Sequence, residues 1–108
     1  MLPKKNRAGK KAVEKIFKDG IFIDSNNLNL KYILENNATP PQISFIVPKT
    51  IEKKAVRRNY LRRCGYIILK KYFNKIPNGF LGVFIFKKYQ NNILTLENEI
   101  KIILNKIY

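Results

Sequence analysis

Histidine and tryptophan are absent from the 108 residues, and cysteine and methionine occur once each. Without histidine there is no imidazole acid–base shuttle and no zinc-finger spacing that depends on it. With Cys64 alone, neither an intramolecular disulfide nor a cysteine-only metal site can form within the chain. Acidic side chains number only 7. Asp19 and Asp24 are the only aspartates, and Glu52 stands isolated among cations. No linear motif therefore supplies the grouped carboxylates of a protein-built two-metal nuclease. No apolar run is long enough to span a bilayer. The basic start, Met1-Leu2-Pro3-Lys4-Lys5-Asn6-Arg7, lacks the apolar stretch of a signal peptide, so the cytoplasm is the expected compartment. Five glycines and five prolines argue against a low-complexity linker.

What the chain does have is positive charge. Lys plus Arg total 22 and the formal net charge is +15. A compact domain repels itself at that charge, and a large anionic partner relieves the repulsion and attracts the protein over a long range. Nucleic acid is the first candidate and an anionic membrane surface the second. An ordinary solvated basic surface, or a coding bias towards lysine, is the bland alternative for the scattered lysines. The arginines are concentrated rather than scattered. At this length one domain over residues 1–108 is expected, with no room for a second core.

The apolar pattern gives an order of elements. Ala12, Val13, Ile16 and Phe17 make a stripe on a helix from about Lys10 to Lys18, which Gly20 would end in a left-handed conformation. Ile21–Ile23 fits a minor edge strand, and Asp24-Ser25-Asn26-Asn27 a turn. Leu28, Leu30, Tyr32 and Leu34 alternate as in a strand with one apolar face. Glu35 to Pro41 reads as a loop, and Ile43–Val47 as the next strand, bounded by Pro48. After a basic connector, Lys49 to Lys54, a helix begins between Ala55 and Arg58 and runs to about Tyr72. Asn74 to Gly79 is a turn, and Phe80–Phe86 is apolar enough for a central strand covered on both faces. Leu94, Leu96, Ile100, Ile103, Leu104 and Ile107 predict a closing helix, with Glu97 and Glu99 placed to suit its dipole. The expected fold is α+β: a two-layer sandwich, α-β-β-β-α-β-α, with a mostly antiparallel four-stranded sheet and three helices. Ile43–Val47 and Phe80–Phe86 would be a parallel pair, for which a right-handed crossover is the general rule.

The functional signal is the run Lys53-Lys54-Ala55-Val56-Arg57-Arg58-Asn59-Tyr60-Leu61-Arg62-Arg63. Six of its eleven residues are Lys or Arg and none is acidic. At about 100° per residue, Leu61, Cys64, Ile68 and Tyr72 project to one side and Arg58, Arg62, Tyr66 and Lys70 to the adjacent side, with Asn59 and Arg63 continuing the polar face. Guanidinium groups grip phosphate oxygens bidentately, and Asn can donate to an oxygen or to a base edge. Gly65 lies inside this helix at a cost of up to about 1 kcal/mol relative to Ala. Close approach to another chain or to a strand would account for it.

This stretch resembles the signature of the bacterial ribonuclease P protein component family, a Lys-rich connector followed by Ala-x-x-Arg-Asn-Arg-x-Lys-Arg. Lys49 matches the first connector lysine, Ala55 the alanine, Arg58 and Asn59 the opening pair, and Arg63 the closing arginine; Arg62 takes the place of the lysine. Asn6-Arg7 resembles the family's Asn-Arg near the start. Val13, Ile16, Phe17 and Gly20 resemble its first helix and the glycine after it. Leu28 and Leu30 stand at the first main-strand positions, and Phe84 to Lys88 resembles the last strand and its basic exit. Tyr60 departs from the pattern by replacing the second arginine of Arg-Asn-Arg, Tyr66 by replacing a further arginine, and Thr50 by replacing a basic connector residue. The two tyrosines cannot supply a charge, although a tyrosine can hydrogen-bond to a phosphate or stack on a base.

The resemblance implies a protein that is not catalytic alone. Its partners would be the ribonuclease P catalytic RNA and precursor tRNA including its 5′ leader, with no membrane and no obligate protein partner. Magnesium ions, mainly in the RNA active site, would activate the water that removes the leader. The resemblance also implies a left-handed β–α–β crossover, against the general rule. It makes Arg58, Asn59, Arg62 and Arg63 contacts to the catalytic RNA, with Lys49, Lys53 and Lys54 extending the surface. Phe17 and Leu28 become candidates for a leader cleft between the first helix and the sheet, each with an alternative place in the core. Strand phase leaves Tyr32 and Phe45 open to either side. Two other functions remain consistent with the charge: a structural or ribosome-associated RNA-binding protein without a role in cleavage, and a DNA-binding module that reads base edges.

Overall fold

The computed structural model describes residues 6–35, 40–90 and 92–107. The expected helix, strand and connector positions fall inside this range, whereas residues 36–39 of the loop before Pro40 lie outside the described residues. The elements are α1 (Lys10–Asp19), β1 (Ile21–Ile23), β2 (Leu28–Leu34), β3 (Gln42–Ile46), α2 (Ala55–Tyr72), a 3-10 turn (Phe73–Lys75), β4 (Phe80–Phe86) and α3 (Ile93–Asn105). The strands form one mixed sheet in the order β1-β2-β4-β3. β1–β2 and β2–β4 are antiparallel, and β3–β4 is parallel.

Period-two alternation divides the sheet between two layers of helix. Leu28, Leu30 and Tyr32 of β2, Ile43 and Phe45 of β3, and Phe80, Phe84 and Phe86 of β4 share the main core with α2 and α3. The intervening residues Leu81 and Val83 pack with Ile16 of α1, and Val13, Ile33, Ile46 and Ile85 close around them. β4 is thus covered on both faces, which explains its nearly unbroken apolar sequence.

Two close approaches hold α2 to this sheet. A Cβ built on Gly65 would lie 2.6 Å from the Phe45 ring. Of the two readings of Gly65, the strand is the one the structure supplies. Phe45 cannot swing away easily, because it stacks on Phe84 at 4.9 Å between centroids and meets Tyr66 edge-on at 5.0 Å. The Tyr66 hydroxyl also accepts the Phe45 N–H at 3.2 Å. Tyr66 is therefore buried, not on the cationic flank where the helical spacing alone had placed it. On the same side of β3, Ala8 N–H donates to the Ile43 carbonyl and Ser44 Oγ to the Ala8 carbonyl. Asn6 Nδ2 donates to the Pro41 carbonyl. The segment before α1 and the Tyr66 side chain together occupy β3 backbone groups that an edge strand would otherwise leave open.

Two local expectations are corrected. Gly20 ends α1 with φ −73° and ψ 150°, extended rather than left-handed, and its N–H donates to the Ile16 carbonyl. A Cβ there would lie 2.3 Å from that carbonyl oxygen, so the glycine serves the close approach. In α3, neither Glu97 nor Glu99 lies in the first turn, and the N-terminus is capped instead by Asn92, whose side chain accepts from Thr95 N–H. Glu97 accepts from the Tyr72 hydroxyl at 2.6 Å and pairs with Lys71 at 3.1 Å, joining α3 to α2. Glu99 is buried and accepts from the backbone N–H groups of Asn27 and Leu28, both at 2.7 Å, and from Asn27 Nδ2 at 2.9 Å. It anchors the turn before β2 onto α3.

Two substitutions test these anchors by thermal or denaturant unfolding. Glu99→Ala leaves two backbone donors without their acceptor and is expected to cost about 2–3 kcal/mol, in the range for hydrogen bonds to charged groups. Gly65→Ala would stabilise the helix by about 1 kcal/mol if propensity decided the outcome. The Phe45 contact instead predicts a net loss of about 1–3 kcal/mol, typical of overpacking. A rise in stability for Gly65→Ala would show that Phe45 yields freely.

Candidate nucleic-acid interface

The basic connector and the first half of α2 form one surface, but its cations do not all face solvent in the same way. Lys49, Lys53, Lys54, Asn59 and Arg63 are exposed, while Arg58 and Arg62 are half-buried. Arg58 falls on the helical stripe of Gly65, Leu69 and Tyr72, close to the buried side. Its Nη1 donates to the carbonyls of Glu52 at 3.1 Å and Lys53 at 2.7 Å. It therefore fastens the connector to the helix in addition to carrying charge. Glu52 assists from the other side, accepting from Lys54 N–H at 3.2 Å and approaching Arg57 at 3.8 Å. An acid that looks isolated in sequence thus sits at a helix N-terminus that has no side-chain cap from its own Ncap residue, Lys54. Negative charge is favourable there.

Further along, Arg62 Nη2 donates to Asn59 Oδ1. That bond orients the guanidinium beside Asn59, and Val56, Asn59, Arg62 and Arg63 line a shallow depression. Of the four α2 residues expected at an RNA contact, Asn59, Arg62 and Arg63 are brought together here. Arg58 lies behind them against the backbone.

The leader cleft that the resemblance implies would lie in the opposite layer, against α1. Phe17, 43% exposed, lies at the outer side of α1. Lys31 of β2 places its Nζ 5.5 Å from the Phe17 ring centroid and donates to the Phe17 carbonyl at 3.2 Å. Lys31 and Ile33 project on this side of the sheet, by alternation with the core residues of β2. Asn29 projects there too, and its Oδ1 is enclosed without a hydrogen-bond partner among the described residues. Leu28 does not share this face. It is fully buried in the α2–α3 core, so as folded it offers no surface to a leader strand. Tyr32 and Phe45 are likewise core residues, with Tyr32 stacked on Phe80 at 5.5 Å. Residue 31 was the neighbour missed in sequence. The signal available was its phase, opposite to Leu28 and Leu30.

Another pair of aromatic rings lies at the solvent side of α2. Tyr60 is 41% and Tyr89 38% exposed. The Tyr60 hydroxyl is held neutral to a higher pH than an ordinary tyrosine, first by its hydrogen bond with Cys64, with Tyr89 adding a smaller push in the same direction. The Arg57 guanidinium carbon lies 6.0 Å from the Tyr89 ring centroid.

Among the described residues no group of three or more potential metal ligands occurs, and no helix is long and apolar enough to cross a membrane. The magnesium that the resemblance implies therefore finds no clustered set of carboxylates on this surface.

Comparison with known proteins agrees with this geometry. The chain is 29% identical over 80 residues to the ribonuclease P protein component of Pseudanabaena sp. (strain PCC 6903), covering 73% of this chain and 69% of that one. The RNase P protein of Staphylococcus aureus superposes with a TM-score of 0.83 at 19% identity over 96% of both chains. The RNase P protein of Thermotoga maritima superposes with a TM-score of 0.79 at 22% identity, over 92% of this chain and 96% of that one. The Ribonuclease P family model matches residues 2–108, and the chain belongs to that family, as a protein component of the endoribonuclease that acts in tRNA processing.

Proposed function

We propose that residues 1–108 act as a single RNA-binding domain that grips the catalytic RNA through the connector and α2 and receives the 5′ leader of precursor tRNA along the α1 layer. The observation that carries this reading is the joint exposure of Asn59 and Arg63, beside Arg62, with Lys49, Lys53 and Lys54. The three connector lysines are exposed beside a helix whose Asn59, Arg62 and Arg63 line one depression, so phosphates of a folded RNA could be neutralised together. Phe17 gives an aromatic face for a leader base, and Lys31 beside it replaces Leu28 as the second group of that cleft. Lys31 adds a cation where the leader's phosphates would run.

In this reading the bond that breaks lies between the leader and the mature tRNA. Magnesium ions, held mainly by the RNA, would supply the activated water. The protein's residues orient and screen: the α2 cations hold the RNA fold against its own repulsion, and the α1 layer holds the leader. The work would take place in the cytoplasm.

Reconstitution tests the reading. The pure chain should cleave nothing, yet lower the magnesium requirement or raise the activity of its cognate catalytic RNA on precursor tRNA. No effect on that RNA across magnesium and salt concentrations would overturn it, and crosslinking to a different structured RNA would point to a binding protein outside cleavage.

The arginines should separate by role. Arg63→Ala should weaken binding to the catalytic RNA and reduce the salt slope by about one, with little change in melting temperature. Arg58→Ala should lower the melting temperature as well, because two backbone carbonyls lose their donor. Equal stability of the two variants would return Arg58 to the exposed face.

A further inference from the structure

Tyr60 occupies a position where an arginine would be expected, and the structure suggests what the ring does there. Tyr60 is exposed on α2, one turn beyond Arg57. The Arg57 guanidinium carbon lies 6.0 Å from the Tyr89 ring centroid, which brings Tyr89, just beyond the end of β4, to the same part of the helix. Arg57 is itself steadied by Glu52. Val56, Tyr60, Arg63 and Ile67 follow one another at spacings of four, three and four residues, so Tyr60 shares an outward stripe with an exposed arginine. An exposed aromatic surface flanked by cations suits a flat group attached to a phosphate.

We infer that Tyr60 and Tyr89, with the Arg57 guanidinium beside them, form a stacking platform for an unpaired nucleobase of the partner RNA, at the margin of the phosphate-binding surface. The inference rests on the RNA-binding reading above and adds a site and a mode of contact to it. A base has a π-face whatever its identity, so the platform tolerates sequence. Stacking releases no counterions, so its contribution should persist at salt concentrations that weaken phosphate contacts. Replacing an arginine by tyrosine at residue 60 therefore exchanges a salt-sensitive contact for a salt-resistant one.

The test is equilibrium binding of the full chain to its cognate catalytic RNA over a series of salt concentrations, with a short single-stranded RNA containing 2-aminopurine as a second probe. Tyr60→Ala and Tyr89→Ala should each weaken binding about tenfold with the salt slope unchanged, a loss within the range for one stacked base. Tyr60→Phe keeps the ring and should bind within about twofold of the parent chain. Stacking should quench 2-aminopurine fluorescence with the parent chain, and Tyr60→Ala should remove the quench. Tyr89 lies outside the helices and strands, so its variant gives an independent answer if Tyr60→Ala melts early. The inference falls if both alanine variants bind like the parent, or if Tyr60→Phe is as damaging as Tyr60→Ala. It falls also if the alanine variants alter only self-association in sedimentation, which would make the rings a contact between copies of the chain. If Arg63→Ala too leaves affinity and salt slope unchanged, the RNA-binding reading of α2 fails; if Arg63→Ala alone responds, only the platform fails.

Discussion

The contact between the Gly65 backbone and the Phe45 ring sets the position of α2 and, through it, of the whole basic surface. A helix carrying this much positive charge has to be held against the sheet by something other than charge. Without a side chain at residue 65, the helix can settle onto a ring that is already locked between Phe84 and Tyr66. Leu61, Cys64, Ile68 and Leu69 then bury around that point, and the opposite arc of the helix has no choice but to face outward. The placement of Asn59 and Arg63 follows from the packing of their neighbours.

Much of this was legible in the chain itself. The element order, the parallel pairing and the two-sided burial of β4 follow from periodicity and apolar run length, because those patterns record which faces meet water. Third-dimensional details were less legible where one residue type serves two roles. Tyr66 lies at the margin of the buried arc, and only the presence of an open β3 backbone group draws it inward. Arg58 reads as a surface cation by type, yet its angle on the helix puts it over the connector carbonyls. Leu28 could be given to a cleft only while the sheet had no assigned faces. Once Glu99 fixes the Leu28 N–H to α3, strand alternation sends Lys31 to the other side.

The few carboxylates show how the chain tolerates its charge. Five of the seven are engaged in tertiary contacts or at a helix start: Asp24 with Lys87, Glu35 with Lys15, Glu52 with Arg57 and the Lys54 N–H, Glu97 with Tyr72 and Lys71, and Glu99 with the turn before β2. Each joins segments that repulsion would tend to separate. The exposed ion pairs among them contribute little individually. Their placement nevertheless matters, because every acid used as a strut lies where it steadies a cation or a backbone donor rather than where it would neutralise the depression between Asn59 and Arg63.

That division of labour bears on why a protein with so few acids can belong to a phosphodiester-cleaving enzyme. Metal-assisted hydrolysis needs grouped anionic ligands, and binding a polyanion needs the opposite field. A surface that gathered carboxylates near Arg62 and Arg63 would weaken its attraction for any polyanion. The two requirements are compatible when the RNA itself supplies the anionic ligands and the protein supplies the cations. On the proposed reading, the α2 surface would act at a distance from the bond being broken, by letting phosphates approach one another more closely than they otherwise could. On that reading the protein's leverage would be greatest where magnesium is scarce, since cations carried on the helix would replace diffusing ones that the RNA would otherwise have to collect.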